Sequence, residues 1–258
     1  MAEPLVRVDR KGETATLALS RPEKRNALNT PMMEAAREAL SRLAGEEGLR
    51  VLVLTGAGEK AFCGGADVGE MAALRPGAAR AFIERLHGLI RAVREFPHPV
   101  VARCQGAALG GGLELLLGCD LRIAAEDALL GMPEVRLGVP SVIEAALLVP
   151  LAGLSAAQDL LLTGRTIDGA EAARLGIVHR AVPAEALDGA VEEAVADLLR
   201  AAPGALRAQK VPLARWLSAY LDAAIPPSID AFDAAYRDGE PNARMSAFLE
   251  ERKSRRRG

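Results

Sequence analysis

The chain has 258 residues, half of them hydrophobic, with 32 basic and 34 acidic side chains interspersed to a formal net charge of −2. That length buries a sizeable core in one domain, or one domain plus an appendage, and excludes a peptide or a disordered tail. The balanced charge excludes a protein whose whole surface is built for nucleic acid, and the spacing of Cys63, Cys104 and Cys119 matches neither a metal motif nor a disulfide framework, which fits a reducing cytoplasm.

The opening MAEPLVRVDRKGE lacks the apolar centre of a signal peptide, and nothing later is apolar for long enough to span a bilayer, so a soluble protein without a membrane partner is expected. Two strands follow, Leu5 to Asp9 and Thr14 to Leu19, turned by Lys11 and Gly12, and then the loop RPEKRNALNT. Thr30 with Pro31 at the first helical position starts a helix that runs to about Ala44. Arg50 to Thr55 is a continuous apolar run of the kind a parallel sheet buries on both faces. GAGEKAFCGGAD reads as a long loop ending at Asp67, an N-cap for a helix over Val68 to Leu74. Ala78 to Glu95 reads as a second long helix and Val100 to Cys104 as a strand leading into Gly110, Gly111 and Gly112.

Those glycines admit a close backbone approach, and Leu113 to Leu117 reads as the start of a helix behind them. A helix N-terminus carries free N–H groups and roughly half a positive charge, so it can hold an oxyanion, and Glu114 lies within one turn of it. Leu121 to Ala125 alternates as a strand, and the chain then turns at Gly131 and Pro133 to present Glu134. A helix, a strand and a turn thus bring a second carboxylate towards the same cleft. The order strand, glycine loop, helix recurs at Val51 and Val100, as a stack of ββα turns would give. From Ser155 the texture is helical: Ser155 to Leu162, Asp168 to Leu175, Ala184 to Ala201 and Ala205 to Ala224 are expected helices, broken by Gly164, Gly176, Pro183 and Pro203. Their faces are Leu/Ala stripes suited to packing helix on helix or subunit on subunit. His87, His98 and His179 show no ligand spacing and read as structural, no metal site is legible, and the basic run Lys253 to Arg257 reads as a frayed, solvated end.

Several long motifs in this order resemble the enoyl-CoA hydratase/isomerase, or crotonase, family. They are RPEKRNALN (Arg21 to Asn29), VLVLTGAGEKAFCGGADVGEM (Val51 to Met71), PVVARCQGAALGGGLELLLGCD (Pro99 to Asp120), MPEVRLGVP (Met132 to Pro140), LLTGRTIDGAEAARLGIVHRAVP (Leu161 to Pro183) and MSAFLEERK (Met245 to Lys253). The resemblance implies an α/β fold: a crotonase-like ββα superhelix core over residues 1–195, and a C-terminal helical region over 196–258 that builds homotrimers, often paired as hexamers. It implies that the backbone N–H groups of Ala66 and Gly111 form an oxyanion hole for an acyl-CoA thioester, where losing one donor costs on the order of 3 kcal/mol. By the same resemblance Glu114 activates water for attack at C3 and Glu134 delivers a proton to C2. The CoA handle is expected along Lys24, Arg25, Ala27 and Leu28, continuing over Asp67, Val68 and Gly69. Coenzyme A arrives as part of the substrate, so no separate cofactor is implied. Cys63, beside the oxyanion loop, reads as a small filler rather than a nucleophile, because no histidine is paired with it.

One segment departs from the family pattern. After Pro140, where typical hydratases continue with a glycine-rich stretch, this chain has SVIEAALLVPLAG. Ser141 falls about where a glycine N–H helps hold water, and Glu144 is either a third carboxylate in the cleft or an N-terminal helix acid stabilised by the dipole. The implied activity is hydration of a trans-2-enoyl-CoA. Isomerisation, decarboxylation or C–C cleavage of an acyl-CoA, and a non-catalytic acyl-CoA-binding scaffold, are the alternatives.

Overall fold

The computed structural model describes residues 3–255. The chain opens with the antiparallel pair β1 (Val6–Lys11) and β2 (Thr14–Leu19), joined through Gly12. Next comes α1 (Thr30–Ala44), capped one residue earlier than the sequence suggests, because the Asn29 side chain accepts the Met32 N–H. β3 (Val51–Gly56) is buried at every position, as its unbroken apolar run requires. There follow β4 (Ala61–Cys63), α2 (Val68–Met71), α3 (Ala78–Arg94), β5 (Val100–Cys104), β6 (Ala107–Leu109) and α4 (Gly111–Leu117). Next are β7 (Leu121–Ala125), β8 (Leu129–Gly131), and short 3-10 turns at Pro133–Leu137 and Ile143–Leu147. The remainder is α5 (Leu148–Ala152), α6 (Leu154–Thr163), β9 (Thr166–Asp168), α7 (Gly169–Arg174), β10 (Arg180–Val182), α8 (Leu187–Arg200), α9 (Pro203–Ala235) and α10 (Glu240–Ser254).

Two sheets result. One has the order β1-β2-β3-β5-β7-β10 and the other β4-β6-β8-β9. The pairs β3/β5, β5/β7 and β7/β10 in the first sheet, and β4/β6 and β6/β8 in the second, are parallel. Successive turns of chain therefore deposit one strand in each sheet, and helices follow: β3, β4, α2 and α3, then β5, β6 and α4, then β7, β8 and a 3-10 turn. This is the ββα superhelical stack that the recurring strand–loop–helix order predicts.

Several expectations need correction. The loop read over GAGEKAFCGGAD contains β4, and β6 and β8 flank the glycine triplet and the Glu134 turn; each is only three residues long, too short to show a period. His179 stands one residue ahead of β10 rather than on it. Asp168 ends β9 and caps α7 by accepting the Glu171 N–H at 2.7 Å, rather than opening the helix. Helix α9 runs 33 residues, past Ala224 and through Pro212, Pro226 and Pro227. Lys253 and Ser254 end a helix rather than fray, and Arg256 and Arg257 lie outside the described residues. No helix among the described residues is long and apolar enough to cross a membrane.

The C-terminal helices fold back on the core. α9 packs against α3 and the Ile143–Leu147 turn, and α10 packs against α2. Asp233 of α9 accepts the N–H groups of Gly77 and Arg80, and Asn242 of α10 donates to the carbonyls of Ala72 and Leu74.

Candidate active site

Two loops and two short turns converge on a cavity of about 400 Å³. The first loop, Gly64–Asp67, is pinned from outside: Leu28 N–H donates to Gly65 O at 2.8 Å, and Asp67 N–H donates to Leu28 O at 2.8 Å. The Asp67 carboxylate then caps α2, accepting the Gly69 and Glu70 N–H groups, and pairs with Arg21 at 3.0 Å. Ala66, between these anchors, makes no hydrogen bond through its N–H to any described residue, and Gly111 N–H at the start of α4 makes none either. The two loops meet beside the carboxyl group: a Cβ placed on Gly111 would stand 3.6 Å from the Ala66 nitrogen and 3.8 Å from Glu114 Oε2. Two unengaged backbone N–H groups on one cavity wall are the kind of donor an anion needs.

Gly110 has φ 53°, in the left-handed region that glycine tolerates. A Cβ there would lie 2.2 Å from Glu134 Oε1, so the bare backbone is what lets Glu134 stand against the glycine turn. Ser141 Oγ donates to Glu134 Oε2 at 2.9 Å. Glu114, on the first turn of α4 and only 3 % exposed, accepts the Ala145 N–H at 2.9 Å. Burial lifts the Glu114 carboxyl well above the usual carboxylate range, the charges of Glu134 and Glu144 lift it further, and the Ala145 N–H opposes them. Burial also pushes Glu134 up to about 7 against the Ser141 hydroxyl, which pulls the other way. Two such groups in one cavity carry a proton between them near neutral pH.

The Glu134 shift has a consequence for stability. A free glutamate titrates near about 4.3, so between there and about 7 the folded chain binds more protons than the unfolded one. The stability attached to a protonated Glu134 is fully present at low pH and lost as pH rises through about 7. Glu134→Gln is therefore expected to gain stability relative to wild type as pH rises from about 5 to about 8, by an amount on the order of 1 to 3 kcal/mol and with a matching rise in melting temperature. A difference independent of pH in thermal melts would refute this.

Lys24, Arg25, Ala27, Val68, Gly69 and Ser141 line the cavity together with Ala66, Asp67, Gly111 and both glutamates. Leu28 does not; its side chain is fully buried in the core and it serves the site through its backbone. Sequence reasoning missed Phe232 of α9 and Phe248, Leu249 and Arg252 of α10, which close the cavity from the C-terminal side. Phe248, Leu249 and Arg252 fall in the MSAFLEERK motif and Phe232 falls in none, because the fold-back that delivers them is not local. Beside the mouth a second hollow of about 370 Å³ gathers Arg25, Lys60, Arg252 and Arg255 against Glu23.

Glu144 is not in the cavity wall. It is an acid in the first turn of Ile143–Leu147, as one of the two expectations has it, but it is completely buried and faces His87 and Arg94. Cys63 and Cys104 are buried thiols pushed up to about 12 by burial, and burial raises Cys119 as well. None of the three is expected to react with an aromatic disulfide reagent until the chain unfolds; rapid titration of a native thiol would refute that. His179 accepts the Arg122 N–H through Nδ1 and is pushed down to about 4 by burial, consistent with a structural role.

The architecture is a crotonase fold whose cavity holds two buried carboxyl groups together with the unengaged N–H groups of Ala66 and Gly111. The fold is also that of an enoyl-CoA hydratase crystal structure from Bacillus anthracis, with a TM-score of 0.80 and 33% identity over 92% of this chain and 90% of that one. The chain belongs to the enoyl-CoA hydratase/isomerase family, whose profile matches residues 9–257. It is 31% identical to a short-chain-enoyl-CoA hydratase of Clostridium acetobutylicum over 95% of both chains. It is 32% identical to a crotonyl-CoA hydratase of Syntrophomonas wolfei over 98% of both.

Proposed function

We propose that this protein hydrates a trans-2-enoyl-CoA to the 3-hydroxyacyl-CoA. The observation that carries the reading is that two proton-avid carboxyl groups, Glu114 and Glu134, share one cavity with the unengaged N–H groups of Ala66 and Gly111. The thioester oxygen docks on those two N–H groups, which stabilise the negative charge that develops there as C3 is attacked. Ionised Glu114 takes a proton from water while its oxygen bonds to C3, and protonated Glu134 gives its proton to C2 as the C2=C3 bond is consumed. Glu114 ends protonated and Glu134 ionised, and one proton passing back between them restores the pair. Both carboxyls are raised, so the pair holds a proton near neutral pH, and the arrangement that reacts is the one with that proton on Glu134 and Glu114 ionised.

The rim residues Lys24, Arg25 and Ala27, with Asp67, Val68 and Gly69, hold the pantetheine end. The hollow of Arg25, Lys60, Arg252 and Arg255 suits the phosphates of coenzyme A. The same reading includes a trimer or hexamer acting in the cytoplasm, with residues 196–258 as the assembling region. In support, α9 presents Val211, Leu213, Tyr220 and a Trp216 that is 70% exposed. Light scattering tests the assembly: a monomeric mass removes it.

The chemistry is tested by incubating the protein with a short trans-2-enoyl-CoA in oxygen-18 water. Label at C3 of a 3-hydroxyacyl-CoA is the expected product. A shifted double bond without added oxygen would make the protein an isomerase instead.

A further inference from the structure

Both cleft carboxylates are held from a single short segment, the one that departs from the family pattern. Ser141 Oγ donates to Glu134 Oε2 and Ala145 N–H donates to Glu114 Oε1, each at 2.9 Å. The backbone between these two anchors is strained. Ile143 has φ 45°, in the left-handed region that a β-branched residue rarely enters, and such a conformation persists only where surrounding contacts enforce it. Two contacts do so. Ile143 N–H donates to Ser228 Oγ of α9 at 3.1 Å. Glu144, with no exposed surface, lies 3.0 and 3.2 Å from His87 Nδ1 through its two oxygens and 3.7 Å from Arg94 Nε. That Arg94 nitrogen is buried and has no hydrogen-bond partner. A carboxylate sealed away from water is costly unless paired, so these α3 groups decide whether the segment keeps its shape.

We propose that Glu144 is a positioning residue for the acid–base pair: locked against His87 and Arg94, it keeps Ser141 to Ala145 in the conformation that presents a donor to each cleft carboxylate, and it sets its own carboxylate behind Glu114. The inference rests on the reading of Glu114 and Glu134 as the working pair. The charged groups around the cluster are His87 and Arg94 from α3 and Glu114 from α4, with Arg91, Glu95, Asp120, Arg122 and His179 on the cavity that His87 and Arg94 border. On the outer side, α9 contributes Lys210, Arg215 and Asp222 to the cavity that His87 and Arg94 border. Helix α5 carries no titratable side chain. The charge on Glu144 is one of the causes that raise the proton affinity of Glu114.

The test reads Glu114 directly, without substrate. In pH-difference infrared spectra, the carboxylic acid band lost in Glu114→Gln reports the midpoint of that residue. Glu144→Gln is expected to lower the midpoint by at least about half a pH unit, and Arg94→Met to raise it, because one removes a like charge and the other an opposite one. Glu144→Asp, which keeps the charge, is expected to stay close to wild type. Opposite shifts are a signature that a merely structural role does not produce. A midpoint unmoved by both Glu144→Gln and Arg94→Met would overturn the proposal, as would the absence of a Glu114 acid band in wild type at pH values where a free glutamate is ionised. If Glu144→Gln fails to fold, the direction of the Arg94→Met shift decides alone. Failure of the hydration reading appears separately, as wild-type protein that carries the band yet adds no water to an enoyl thioester.

Discussion

Glu114→Gln is expected to lower turnover of a short trans-2-enoyl-CoA by about 10³-fold, within the 10² to 10⁴ that positioned acid–base groups supply. The substitution is nearly isosteric. The amide oxygen of Gln still accepts the Ala145 N–H that Glu114 accepts at 2.9 Å, so the segment behind it keeps its anchor. The amide also removes a carboxyl whose ionised form is penalised by burial and by two neighbouring carboxylates, so the fold is expected to hold or gain stability. What disappears is the base that takes the proton of water. Steady-state kinetics with calorimetric melts on the same sample separate the effects. Near-normal turnover in a folded variant would remove Glu114 from the chemistry.

Gly110→Ala is expected to cost nearly as much activity by a different route. At φ 53° and ψ −126° the alanine is held in a conformation that glycine alone adopts readily, and its Cβ falls 2.2 Å from Glu134 Oε1. Either the carboxylate leaves its place between the glycine turn and Ser141, or the turn opens and shifts Gly111 N–H away from the oxyanion position. Both outcomes disable the site, so turnover is expected to fall by about 10²-fold or more, with a modest loss of melting temperature. Wild-type turnover in Gly110→Ala would show that Glu134 need not stand against this turn.

The parts of the fold legible in the sequence are those with a strong local signature. Six consecutive buried positions made β3 unmistakable, and the Asp67 cap, the glycine triplet and the proline before Glu134 each marked a turn that the structure contains. The second sheet was not legible, because strands of three residues are specified by their neighbours across space. The length of α9 was hidden for a different reason. Pro226 and Pro227 remove helical partners from the carbonyls of Asp222 and Ala223, which ordinarily ends a helix. Here the buried side chains of Leu221, Ile225, Ile229 and Phe232 hold the helix across the break.

Within the site, local motifs and family resemblance point to Ala66, Gly111, Glu114 and Glu134, and all four line one cavity. Leu28, expected along the CoA handle, has its side chain in the core and meets the site loop through its backbone, which a side-chain pattern does not reveal. Glu144 could not be placed from sequence, because His87 and Arg94 lie 57 and 50 positions away in the chain and meet it only through the packing of α3 against the Ile143–Leu147 turn.

The most direct test of the central claim is to mix the purified protein with a short trans-2-enoyl-CoA and follow the absorbance of the conjugated enoyl thioester, with Glu134→Gln in parallel. Rapid loss with wild type and a rate lower by orders of magnitude with the variant is the predicted result. Equal rates in the two, or an unchanged absorbance with wild type across acyl chain lengths, would contradict the account.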